Sequence, residues 1–258
     1  MSMFLILRRL KSFITLKLHI LAIASHPDDV EISCSGTLIK HAQAGQAVGI
    51  IDLTQGELGT RGNAATRRKE SLDAAAVMGI SVRENAGMAD GFFQNNEENQ
   101  RILIAYLRYY QPDIVIANAL ADRHPDHGRG GKLIADACFY SGLRKISTQW
   151  LGQEQEPWRP KRVYHMMQDR ISEPSFIVDI STTFEKKMEA IRCYKSQFHD
   201  PSSIEPITYI ATEEFFHSMA YRDAIMGKRI GVQYGECFMS ENIPGISSLD
   251  DLVLPELP

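Results

Sequence analysis

The sequence predicts an α/β fold in three layers, with a mostly parallel sheet between two layers of helices. Three observations carry this. Short apolar runs alternate with longer helical patterns through the first half, the runs are rich enough in Leu and Ile to be buried strands, and 258 residues suffice for one large core. Leu18 to Ala24 is the first such run, and it ends at the polar Ser25-His26-Pro27-Asp28-Asp29. Gly36 to Gln43 then reads as a helix stopped by Gly45, and Ala47 to Leu53 as a second strand. Arg67 to Met78 is a helix closed by Gly79. Asn99 to Tyr110 is another, ended by Pro112, and Ile114 to Ala117 is again a buried strand.

The second half repeats the elements less regularly. Gly130 to Tyr140, Phe184 to Tyr194 and Glu213 to Met226 read as helices, and Arg162 to Met167 and Phe176 to Ile180 as strands. Pro157 and Pro160 mark a loop rather than an interdomain linker, and there is no internal repeat. The expected organisation is an N-terminal extension over residues 1–17 and a single domain over residues 18–258, with an irregular tail from Asn242.

Composition excludes several classes. With 28 basic and 32 acidic residues the net charge is -4, which offers no general attraction to nucleic acid or anionic membrane. The opening segment is interrupted by Arg8, Arg9, Lys11 and Lys17, so it reads as neither a signal peptide nor a spanning helix. Cys34, Cys138, Cys193 and Cys237 are scattered without zinc-ribbon pairing or disulfide-scaffold density, which fits a reducing, cytoplasmic setting. The glycines of 56–62 match neither dinucleotide nor phosphate-loop patterns, and the aromatics Phe92, Phe93, Tyr106, Tyr109 and Tyr110 read as core or subunit contacts. His19, His41, His165, His199 and His217 lie outside any paired motif and are left without a function.

Ligands of parallel sheets sit at the carboxyl ends of strands, so the loops after strands are the suspects. Two of them concentrate the chemistry. His26-Pro27-Asp28-Asp29-Val30-Glu31 places an imidazole and three carboxylates after the first strand; Asp122-Arg123-His124-Pro125-Asp126-His127 places two of each after the strand ending near Asn118. Either cluster alone would read as a turn or helix cap. Both at one sheet edge point to a metal: imidazole and carboxylate suit zinc, and a catalytic zinc takes three protein ligands and leaves a position for water. Acids and imidazoles beside the ion then serve as general base and oxyanion stabiliser. The residues themselves admit hydrolysis of an amide or of a phosphoester.

These motifs, with Gly36-Thr37, resemble the LmbE-like (PIG-L) deacetylases. The 52–62 segment (Asp52-Leu53-Thr54-Gln55-Gly56-Glu57-Leu58-Gly59-Thr60-Arg61-Gly62), Trp158-Arg159-Pro160-Lys161 and Tyr194-Lys195-Ser196-Gln197-Phe198 look like the branch that deacetylates N-acetylglucosaminyl malate in bacillithiol synthesis. The resemblance spans roughly Leu18 to Leu252 and implies a Rossmann-like fold with Zn2+ on His26, Asp29 and His127. It makes Asp28 the general base, His124 the group that polarises the carbonyl or protonates the amine, and Asp126 an orienter of histidine. Tyr194 would help hold the oxyanion, Arg61 would grip a substrate carboxylate with Glu57 bracing it, and Gln197 would contact substrate. The implied partner is a small sugar conjugate, another N-acetylglucosaminide being the alternative, and the implied assembly is a homo-oligomer, hexamers included. Ser35 and Cys237 stand where the family pattern has glycine, which raises the question of local backbone shape.

Overall fold

A computed structural model describes residues 16–254. Nearly all of the expected N-terminal extension falls outside this range; within it, Lys17 places its ammonium 3.2 Å from Asp113. In chain order the elements are β1 (Ile20–Ala24), α1 (Asp29–Gln43), β2 (Val48–Asp52), α2 (Ala64–Met78), β3 (Val82–Asn85), α3 (Glu97–Tyr110), β4 (Ile114–Ala117) and α4 (Pro125–Tyr140). There follow a two-stranded hairpin of β5 (Gln149–Trp150) and β6 (Gln153–Glu154), then β7 (Arg162–Met166), β8 (Phe176–Asp179), α5 (Phe184–Arg192), α6 (Glu213–Arg229) and β9 (Gly235–Met239).

The main sheet has seven strands in the order β3-β2-β1-β4-β7-β9-β8. The first five are mutually parallel, and β9 runs antiparallel between β7 and β8. Strand alternation splits β1 between two cores. Ile20, Ala22 and Ala24 join α1, α2 and α5 on one face; Leu21 and Ile23 join α3 and α4 on the other. All five residues of β1 and of β2 are buried, which explains their unbroken apolar runs.

Strand order turns between β1 and β4: β2 and β3 extend one way from β1, β4 and β7 the other. That is the switch point where an open α/β sheet forms its crevice, and both motif loops leave the sheet there. Four strands have no counterpart in the sequence reading. β3 and β9 are a short strand and one carrying the polar Glu236, and the hairpin of β5 and β6 has only two residues per strand.

Two helices begin earlier than their apolar pattern. α1 starts at Asp29 and α4 at Pro125, so each motif forms a loop and the first turn of a helix. Ser35 lies in α1, its hydroxyl donating to the Glu31 carbonyl, and Cys237 lies in β9; neither has a positive φ. Gly36 is the position that needs its missing side chain, since a Cβ there would lie 2.9 Å from Ile180.

Candidate metal centre and active site

The two loops are tied at their roots. Asn118, just past β4, accepts from the Ser25 backbone N–H at 2.7 Å, and the Ser25 hydroxyl donates to the Asp126 carbonyl at 2.9 Å. Gly130 and Gly131 let α4 close on this junction: a Cβ at Gly130 would sit 2.5 Å from Ser25 Oγ, and one at Gly131 2.7 Å from the Asn118 carbonyl.

The junction brings His26, Asp29 and His127 together. Asp29 Oδ1 lies 3.1 Å from His127 Nε2, and Asp29 Oδ2 lies 3.6 Å from His26 Nδ1. The two distances run to different oxygens of Asp29, so the carboxylate lies between the two rings, and imidazole nitrogen and carboxylate oxygen are donors of the kind zinc takes. One nitrogen each of His26, His124 and His127 also lie within 4.8 Å of one another. Asp29 is wholly enclosed and accepts from Asn118 Nδ2 at 3.1 Å and Gln168 Nε2 at 2.9 Å. Burial pushes its carboxyl upward, but the His127 charge and the bonds to both histidines prevail and hold it well below the usual carboxylate range.

Each of these two histidines carries a carboxylate on its other nitrogen. His26 Nε2 faces Asp90 Oδ1 at 3.0 Å and Asp126 Oδ2 at 3.4 Å; His127 Nδ1 faces Asp122 Oδ2 at 2.6 Å. Such outer carboxylates fix ring orientation and tautomer and raise ligand basicity. Burial opposes protonation of His127, yet Asp29 and Asp122 raise it to about 9, and the carboxylates around His26 lift it well above its ordinary value. Asp126 also accepts from the Gly91 N–H at 2.8 Å and from Arg129 at 2.8 Å.

Asp28 occupies the left-handed region at φ 115, a conformation that costs a non-glycine residue about 1–3 kcal/mol and is found where surrounding contacts over-determine it. The contact here is Arg67 from α2, which donates to Asp28 Oδ2 at 3.0 Å and to the Pro27 and Gly56 carbonyls. Gly56, at φ 65, leaves the space: a Cβ there would lie 2.0 Å from an Arg67 nitrogen. Burial raises the Asp28 carboxyl to about 7, with Arg67 pulling the other way. His124 caps α4 by accepting the Asp126 N–H on Nδ1 at 3.2 Å, which leaves the proton of its neutral form on Nε2. Burial and the neighbouring His26 and His127 lower its pKa, so neutral pH keeps that form.

The site opens into a cavity of about 570 Å³, of ligand-binding size, lined by His26, Asp28, Asp29, His124 and His127 among others. Gln197 lines it too, its amide donating to the Arg61 carbonyl at 3.0 Å. Three expected participants are placed elsewhere. Tyr194 is fully buried; its hydroxyl donates to Glu31 at 3.0 Å and accepts from Arg83 at 3.1 Å, in an ion cluster with Asp52, so it has no path to an oxyanion. Arg61 is 4% exposed and spends its guanidinium on the Ser196 and Pro206 carbonyls and the Ser203 hydroxyl, fastening two loops instead of facing the cavity. Glu57 does not brace Arg61: it accepts the backbone N–H groups of Asp90 and Gln55.

Asp90, Arg67, Asn118 and Gln168 were missed by sequence reasoning. Asp122 was read only as part of its cluster. Asn118 alone had a positional signal, standing at the end of a predicted strand; the others acquire meaning only through neighbours far away in the chain.

Fold and site together define a candidate metal-dependent enzyme whose His and Asp cluster stands at the switch point of a doubly wound sheet. The profile of the PIG-L family, described as GlcNAc-PI de-N-acetylase, matches residues 21–138. A conserved protein of Thermus thermophilus, whose crystal structure is known, is 32% identical and superposes with a TM-score of 0.81 over 90% of this chain and 98% of its own. The diacetylchitobiose deacetylase of Thermococcus kodakarensis is 28% identical over 189 residues, 69% of this chain and 70% of that one. A Bacillus anthracis protein named as a probable N-acetyl-alpha-D-glucosaminyl L-malate deacetylase is 26% identical over 193 residues, 70% of this chain and 81% of its own. The chain belongs to the PIG-L (LmbE-like) deacetylase family and is an enzyme of the amidohydrolase kind.

Proposed function

We propose that this enzyme is a zinc-dependent deacetylase that hydrolyses the N-acetyl amide of an N-acetylglucosaminide, releasing acetate and the free amine. The observation that carries the reading is the enclosed His26–Asp29–His127 donor set with an unligated acid, Asp28, beside it on the same cavity. The resemblance to deacetylases of such sugars supports it.

His26, Asp29 and His127 would hold the ion, which when bound supplies Lewis acidity to the scissile amide and to the attacking water. Asp28 accepts the proton that this water gives up, a task suited to a carboxyl whose pKa lies near neutrality. His124 offers its Nε2 proton to the oxygen that gains charge, and a donor of this kind is worth roughly 3 kcal/mol in the transition state. The proton held by Asp28 then passes to the departing nitrogen. Asn118 and Gln168 keep the Asp29 carboxylate fixed throughout.

The malate conjugate is one member of this substrate class. Likeness to the Bacillus anthracis protein favours it, and the engagement of Arg61 with backbone carbonyls speaks against it. A cytoplasmic location and a homo-oligomer belong to the same proposal. The four cysteines are free, and no helix among the described residues is long and apolar enough to cross a membrane. The test is acetate release from N-acetylglucosamine glycosides by zinc-loaded protein, with and without a chelator. Phosphate release from phosphoesters without any acetate would overturn the assignment.

A further inference from the structure

The cavity has two chemically distinct parts. The metal cluster comes from the loops after β1 and β4. The rest includes apolar surface from the segment after β7, the 3-10 turn Tyr209–Ala211 and α6: Ile171, Tyr209, Ile210, Phe215 and Met219. Ile171 is 53% and Tyr209 55% exposed, so apolar surface at the cavity remains in contact with water. A hexosamine ring, polar around its rim, would leave that surface uncovered.

The cations of the cavity are already matched. Three arginines line it, and among the described residues no lysine does. Arg67 is paired with Asp28 at 3.0 Å, Arg123 with Asp169 at 2.6 Å, and Arg222 with Asp223 at 3.0 Å. Arg222 donates further to the Gln168 and Ile32 carbonyls, and Arg123 stacks 4.5 Å over the Tyr209 ring. A carboxylate on the substrate would have to displace an aspartate at Arg67 or Arg222, and at Arg123 it would have to share the guanidinium with Asp169, leaving two like charges side by side. Such a cavity rejects an anionic group more readily than it holds one.

We infer that the substrate carries, on the sugar's anomeric oxygen, an uncharged aglycone with an aromatic or alkyl group that packs against Tyr209, Phe215 and Ile171. This rests on the deacetylase reading and narrows it. Binding energy from such a remote group lowers KM and, where it orients the amide, raises kcat.

The experiment compares kcat/KM for four compounds with the zinc-loaded full chain: free N-acetylglucosamine, its phenyl glycoside, its malate glycoside and diacetylchitobiose. The phenyl glycoside is expected to exceed the free sugar and the malate glycoside by at least tenfold. In Tyr209→Ser and Ile171→Ser, both at partly exposed positions, the ratio of phenyl glycoside to free sugar is expected to fall at least threefold. Preference for the malate glycoside, a phenyl-to-free ratio below tenfold in the unmodified enzyme, or a fall of less than threefold in that ratio in both variants overturns the inference while leaving the deacetylase reading intact. Absence of acetate from all four compounds overturns both.

Discussion

The pairing of each ligand histidine with an outer carboxylate predicts how strongly the protein should hold its metal. In Asp90→Asn the amide oxygen still accepts from His26 Nε2, now 3.0 Å from Asp90 Oδ1, but the charge that strengthens this bond is gone, and the amide nitrogen replaces or repels the Leu58 N–H that Oδ2 accepts at 2.9 Å. Asp122→Asn weakens the 2.6 Å bond to His127 in the same way and disturbs the Arg170 N–H held at 2.8 Å. Loss of such outer partners costs 10–100-fold in metal affinity, and with the acceptor oxygen retained the lower end applies, about tenfold or 1.4 kcal/mol for each. The two carboxylates act on different rings, so the effects should add to about a hundredfold in the double variant. Competition for zinc against a chromophoric chelator at neutral pH measures this. Circular dichroism of the metal-free proteins shows that the fold is retained. A natively folded double variant within threefold of the unmodified affinity would refute the orienting role of both residues.

Three further outcomes follow from the same geometry. Asp28→Asn should keep zinc at full stoichiometry and lose about 10²–10⁴ in kcat, because the acid lies beside the donor set and outside it; turnover within fivefold of normal would remove it as the base. Zinc affinity should rise with pH up to about 9, since His127 must lose its proton to bind and holds it until about that pH in the metal-free protein. The same raised pKa means that His127 stabilises the metal-free fold fully below its unfolded value of about 6.5 and loses that contribution as pH climbs through about 9. Titration calorimetry in buffers of different ionisation enthalpy at pH 7 should therefore detect proton release on zinc binding, and a pH-independent affinity between 6 and 9 would contradict the scheme. Finally, Tyr194→Phe should lower stability by about 1–3 kcal/mol, by leaving Glu31 and Arg83 short of a partner, with kcat changed less than threefold; a hundredfold loss of kcat would restore its catalytic part.

Those predictions draw on residues that the chain reveals very unevenly. The parallel sheet was legible because β1, β2 and β4 are buried on both faces and must be apolar along their length. The candidate metal-binding cluster was legible because two loops at one sheet edge each concentrate acids and imidazoles, and their convergence needs only that β1 and β4 be neighbours, which they are. β9 was not legible: it pairs antiparallel in an otherwise parallel region and carries Glu236, whose carboxylate is buried against Lys187 and the Gly36 and Thr37 N–H groups. No periodicity marks a strand whose central charge is satisfied by partners far away in the chain.

The misplaced residues show where motif reasoning stops. Arg61 and Arg67 are both arginines of one segment, six residues apart, and nothing in their types says which serves the site. The backbone decides: Gly56 at φ 65 opens the space into which Arg67 reaches, whereas the carbonyls of Ser196 and Pro206 capture Arg61. Arg67 then does what an arginine at a substrate carboxylate cannot do. It holds Asp28 in a left-handed conformation and, by lowering a carboxyl that burial alone would leave protonated, keeps a fraction of it ionised at neutral pH. Replacing Arg67 by Met should therefore move the acidic limb of the kcat/KM profile to higher pH and let alkaline buffer recover part of the lost rate. A variant whose rate is depressed equally at every pH would show that the arginine matters for shape alone.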